Sequence, residues 1–170
     1  KIEDFHQVYS SSLTKEFGEL YTATQGTPNK HTGKGPKWVM VIDLQKCVGC
    51  DTCTVSCKAA NRTPPGISYN VVMEEMIGDY PTLATVNLPR PCMQCDKPPC
   101  VQVCPTRATY KMENGIVTID NDRCIGCRYC HMACPYGAPQ YNAAKGHMTK
   151  CDGCHDRVAD GKKPICVECC

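Results

Sequence analysis

Apolar positions along the 170-residue chain fall into short, scattered runs, none approaching the roughly 20 residues that a membrane-spanning helix needs. Near the start, Phe5, Val8, Leu13, Phe17 and Leu20 recur at loose helical spacing. Gln25 to Lys37 is rich in Gly, Pro, Thr and Lys and reads as extended. Residues 1–37 are therefore expected to form an N-terminal arm, either packed on the domain surface or strapped around a partner subunit. The longest apolar run, Trp38 to Ile42, predicts a strand that delivers the polypeptide into the next loop. Ile67–Met76 and Leu83–Leu88 predict two strands of a covering hairpin inside an insertion at 61–91, with Gly78 to Pro81 in its loop. Tyr110 to Asp120 predicts a second hairpin around an Asn114-Gly115 type I′ turn.

Composition changes this picture. The chain has 17 cysteines but only two Phe and one Trp, so apolar burial alone cannot hold it together. Disulfides, zinc or iron–sulfur clusters are the available agents.

The cysteines are ordered. Cys124, Cys127, Cys130 and Cys134, followed by Pro135, form C-x2-C-x2-C-x3-C-P, the bacterial ferredoxin run. Cys47, Cys50, Cys53 and Cys57 repeat the spacing, with Lys58 in place of Pro. Cys92, Cys95, Cys100 and Cys104 widen one gap to x4 and continue with Pro105. Cys151, Cys154, Cys166 and Cys170 widen it to x11. A short loop can offer only three thiolates to one cubic [4Fe–4S] cluster, and the fourth cysteine, expected to begin a helix pointing away, reaches the neighbouring cluster. Four runs thus predict four [4Fe–4S] clusters in two exchanging pairs.

The second and third runs are joined by the short hairpin, which makes them the inner pair. One cluster is assigned Cys92, Cys95, Cys100 and Cys134, the other Cys124, Cys127, Cys130 and Cys104. The outer pair then takes Cys47, Cys50, Cys53 and Cys170, and Cys151, Cys154, Cys166 and Cys57. The expected fold is α+β, with two ferredoxin-like dicluster modules, extended loops and the arm. The inner module covers about 88–142, and the outer one joins 38–60 to 143–170.

Zinc is the main rival, since the fourth set alone has the look of a zinc ribbon. Disulfides fit an odd count and tight C-x2-C spacing poorly. Cys169 falls off the pattern and is read as a bystander in the last turn, with a register shift that exchanges it for Cys170 as the alternative. None of the five His takes a ligand position; His131, inside the third run, is read as exposed. Lys46, Arg123 and Lys150 precede the first cysteine of a run, and Arg90 lies two before Cys92. They are either solvated charges or cations that favour the reduced state of a nearby cluster and raise its potential.

The formal charge of +2 counts every cysteine as neutral. Sixteen thiolates around four cores of roughly 2+ would take it to about −6, which removes support for nucleic-acid binding. Lys1 is not a start methionine, so processing or trimming is expected, and the stop at Cys170 without a following Pro points to a further tail.

The strings CIGCRYCHMACPYGAPQYN and KGHMTKCDGCHDRVADGKKPICVECC closely resemble the iron–sulfur electron-transfer subunits of the DMSO reductase family of complex iron–sulfur molybdoenzymes. The resemblance covers about residues 38–170 and all sixteen patterned cysteines. It implies the ligand exchange given above and a chain with no catalytic site of its own. It also implies a molybdopterin-containing catalytic partner and a membrane anchor subunit or cytochrome linked to quinone. Some relatives carry Trp for one Cys of a run and a [3Fe–4S] cluster there; Cys92, Cys95, Cys100 and Cys104 imply [4Fe–4S] here. By the same analogy the protein is expected on the periplasmic or outer face of a membrane, peripheral to it, with the cytoplasmic face as the alternative. Two other classes remain in view, a freestanding polyferredoxin and a zinc-stabilised interaction module.

Overall fold

Frequent Pro and Gly between the cysteine runs keep every element short. The structure, a computed structural model, describes residues 36–170, so the arm expected over 1–37 lies almost wholly outside the described residues. In sequence order come α1 (Thr52–Asn61), β1 (Val72–Ile77), β2 (Ala84–Pro89), α2 (Pro99–Gln102), β3 (Thr109–Lys111), β4 (Val117–Ile119) and α3 (Tyr129–Ala133). They are followed by β5 (Gln140–Asn142), β6 (His147–Thr149), α4 (His155–Ala159) and α5 (Ile165–Glu168). The strands pair as three antiparallel hairpins, β1–β2, β3–β4 and β5–β6, each following the last cysteine of a run. One unit of cysteine loop, helical turn and hairpin is thereby repeated.

Helix packing joins distant parts of the sequence. α1 packs on α5, and α2 packs on α3. The first run thus meets the fourth, and the second meets the third. The buried core is small and partly made of thiols: Cys100, Val117, Cys130 and Met148, flanked by Val101, Ile119, Cys124 and Tyr141. Val117 on β4 and Met148 on β6 are its most enclosed members.

Four expectations need correction. Trp38 to Ile42 is not in a ladder among the described residues, and Val39 to Ile42 are exposed. A β-rich run forms a strand only where a neighbour supplies its hydrogen bonds. The β3–β4 turn is not type I′. Met112 N–H donates to Ile116 O at 2.8 Å and Gly115 N–H to Met112 O at 3.0 Å, leaving a three-residue loop. Only Gly115 there has positive φ (87°), the mark of a type I turn closed by a bulge.

β1 begins at Val72 rather than Ile67. Ile67 is buried, and Ser68 is held by the Gln140 side chain, which accepts from Ser68 N–H at 3.0 Å and donates to Ser68 O at 2.7 Å. That amide occupies the backbone groups a strand partner would have used. Finally, the β1–β2 hairpin covers the cysteine loops only at its base. Asn87 Nδ2 donates to Cys47 O at 3.2 Å, while Met76, Ile77 and Tyr80 are exposed further out.

Candidate metal centre

Each cysteine loop is shaped by left-handed backbone around its second cysteine. Gly49, Gly126 and Gly153, before the second cysteine of their runs, have φ of 69°, 69° and 67°. Asp51 and Arg128, just after it, also lie at positive φ. Such turns make a nest of N–H donors suited to an anion. At Gly126 nothing larger fits, since a Cβ would stand 2.6 Å from Gly146 O. In the second run the equivalent position is Gln94, at φ 46°. Its side chain is held at both ends, accepting from Val117 N–H at 2.7 Å and donating to Cys151 O at 3.1 Å.

The third cysteine of every run, Cys53, Cys100, Cys130 and Cys166, sits in the first turn of a helix. The fourth does not begin a helix, contrary to expectation. Cys57 lies within α1, and Cys104, Cys134 and Cys170 fall just past the ends of α2, α3 and α5. The x3 spacing is one helical turn, so the helix starts before the third cysteine and is used up at the fourth.

The structure brings parts of different runs together. Cys92, Cys95 and Cys100 of the second run and Cys134 of the third line one cleft. Pro98, Pro99, Val117 and Lys150 complete much of its wall. Burial pushes the Cys100 thiol up, Lys150 pulls against this, and Cys92, Cys134 and Cys95 add to the rise.

Around the third run, burial pushes Cys130 up to about 11, with Cys124, Cys100 and Cys127 adding to it. Met148 N–H donates to Cys124 Sγ at 3.4 Å. At Cys104 burial acts upward, but hydrogen bonds from Thr109 and Thr106 outweigh it and leave the thiol lowered.

In the outer half, Cys57 of the first run is pushed up to about 12 by burial and then by Cys151, Cys154 and Cys166, which makes those three its neighbours. Cys166 is pushed up to about 12 by burial, then by Cys151 and Cys154. Cys151 reaches about 11, raised by burial and eased by the Gly153 N–H at 3.5 Å. Cys53 is raised by burial, with Cys169 adding to it, whereas Cys170 is exposed. Cys169 does lie in the final turn, its thiol donating to Cys166 O at 3.6 Å.

None of the 17 cysteines is paired in a disulfide. Buried thiols set side by side cannot all ionise unless cations join them, and soft thiolate donors suit zinc or iron–sulfur clusters. Tetrahedral zinc, with Zn–S bonds of about 2.3 Å, gathers its sulfurs around a point. Cys92, Cys95, Cys100 and Cys134 line one cleft, so three thiols of one loop and one of the next are available to a shared soft-metal centre.

The basic residues separate sharply. Lys46 is exposed and pairs with Asp43 at 3.8 Å, and Arg123 is exposed. Lys150 is 6% exposed, its ammonium on Val117 O, on Cys151 O at 2.8 Å and on Cys92 Sγ at 3.6 Å. His131 is exposed as expected, with Nδ1 2.6 Å from Pro139 O.

Sequence reasoning passed over two polar residues at the site. Asn61 Nδ2 donates to Cys57 O at 2.9 Å and lies 3.4 Å from Cys57 Sγ. Gln94 carried one visible signal, in occupying the place where the other three loops have glycine.

Residues 83–170 match the family described as "4Fe-4S dicluster domain". The B component of anaerobic dimethyl sulfoxide reductase from Escherichia coli (strain K12) is 52% identical over 137 residues, covering 76% of this protein and 67% of that one. The corresponding B component of selenate reductase from Mesobacillus selenatarsenatis is 45% identical over 167 residues, covering 79% and 57%. That of tetrathionate reductase from Salmonella typhimurium is 44% identical over 147 residues, covering 85% and 59%.

Proposed function

The protein belongs to the iron–sulfur subunits of the molybdoenzyme reductase complexes, and from that premise we propose that it carries four [4Fe–4S] clusters as an electron wire. Single electrons pass along them between a molybdopterin-containing catalytic subunit and a quinone-linked membrane subunit or cytochrome. The clusters, when bound, supply the one-electron chemistry. The chain's own residues hold thiolates in place, aim backbone N–H groups at them and limit water.

The observation that carries this reading is the cleft lined by Cys92, Cys95 and Cys100 together with Cys134 from the next run. Three ligands from one loop and a fourth from its neighbour is the ferredoxin exchange. We extend it to Cys124, Cys127, Cys130 and Cys104; to Cys47, Cys50, Cys53 and Cys170; and to Cys151, Cys154, Cys166 and Cys57. The packing of α2 on α3 and α1 on α5 supports an inner module of about 88–142 and an outer one of 38–60 with 143–170. No helix of the described residues is long and apolar enough to cross a membrane; in this reading the family's membrane subunit makes the membrane contact. We place the complex on the periplasmic or outer face.

Iron analysis and EPR redox titration of the anaerobically purified protein test the reading. Four clusters are expected, with one of them lost or altered in Cys134→Ser. A protein that holds zinc in place of iron would sink it. Elution of the wild-type protein alone from gently solubilised membranes would sink the partner assignment.

A further inference from the structure

Lys150 is the one patterned cation that the fold buries. Its three neighbours, Val117 O, Cys151 O and Cys92 Sγ, match the three hydrogens of an ammonium. The same side chain lines the cleft with Cys92, Cys95, Cys100 and Cys134. Gln94 supports it from the other side, bonding to Val117 N–H and again to Cys151 O. The two side chains therefore tie the second loop, β4 and the fourth loop into one junction. A buried charge persists only where partners compensate it, and of the three groups that Lys150 touches the Cys92 sulfur is the one that can be anionic, with Cys100 and Cys151 close enough to act on it as well.

We propose that Lys150 is a positioning residue that fixes a positive charge against the cluster of Cys92, Cys95, Cys100 and Cys134 and thereby makes it easier to reduce than its neighbours. The inference rests on the four-cluster reading. One electron, arriving from an adjacent cluster of this protein, adds one negative charge to the site. All four Fe–S(Cys) bonds are kept and no proton moves. The ammonium interacts more favourably with the site after the electron arrives, so it shifts the equilibrium toward reduction. Exposed Lys46 and Arg123 are screened by water and have far less leverage.

The test is an EPR redox titration of the full chain with its clusters loaded, as wild type, Lys150→Met, Lys150→Gln and Lys150→Arg. In the two neutral variants the reduced-to-oxidised ratio of one cluster should fall at least tenfold at a given potential, a shift of 59 mV for one electron. The other three clusters should stay within threefold, and Lys150→Arg should stay near wild type. Unmoved potentials in a neutral variant that keeps all its clusters would overturn the inference. An equal fall in Lys150→Arg would do so as well. Loss of that cluster from both neutral variants would make Lys150 an assembly residue and also overturn the tuning role. A wild-type protein without iron–sulfur signals sinks the electron-transfer reading itself, whereas wild-type clusters with unmoved variants sink only this inference.

Discussion

At Gly126 a single hydrogen atom decides whether the third loop can close. A methyl group there meets Gly146 O at 2.6 Å, on backbone with φ 69°. At Gly153 the same methyl meets nothing nearer than 3.8 Å. Gly153→Ala should therefore cost about the 1–2 kcal/mol of a left-handed Ala. Gly126→Ala should cost more and lose its cluster; comparing the temperatures at which the visible cluster absorption bleaches checks the order.

His155 allows a second test at this scale. Its hydrogen bond with Asp152, 3.1 Å away, raises its pKa above the ordinary 6.5, with burial acting against. Asp152 is pushed up by burial, but the His155 bond outweighs this and leaves it below 3.8. The raised His stabilises fully below pH 6.5 and loses that contribution as pH rises through its shifted value. The lowered Asp stabilises fully above pH 3.8 and loses its contribution as pH falls. The pair is thus complete between the two. In a pH series of bleaching temperatures, Asp152→Asn should show a smaller decline above pH 6.5 than wild type.

Elements carry the pairing. α1 brings Cys57 to the three cysteines of the fourth run because α1 packs on α5. Under the proposed ligand exchange, Cys57→Ser should perturb a cluster on Cys151, Cys154 and Cys166 and spare one on Cys47, Cys50 and Cys53, which EPR can separate. The reverse result would reassign the outer exchange. The hairpins are only partly legible in the sequence for a related reason. β3–β4 shows in its Asn-Gly and β-rich flanks, but β5–β6 does not, since Gln140–Asn142 and His147–Thr149 are too short to show alternation. The start of β1 is misjudged because the Gln140 amide, remote in sequence, captures Ser68 first.

Across the whole molecule, thiols stand where a larger apolar core would otherwise be. Removing iron with a chelator under reducing conditions should collapse near-UV circular dichroism and open the loops to protease, because ligand binding and folding are one process in such sites. Protons compete with iron for thiols pushed up to about 11 or 12, as at Cys130, Cys151, Cys57 and Cys166. Loss of clusters to the chelator should therefore quicken as pH falls, measured by the bleaching rate.

By itself the sequence determined the four runs, the thiolate chemistry and the kinship of residues 38–170, because C-x2-C-x2-C-x3-C is a local device whose meaning lies in spacing along one loop. Only the tertiary structure decided which thiols face each other across the cleft, that Gln94 clamps Val117 to Cys151, and that Lys150 is buried while Lys46 and Arg123 are not. Those are contacts between residues more than 20 positions apart. Whether a lysine is solvated or enclosed depends on what packs over it, and no residue beside it in the sequence records that.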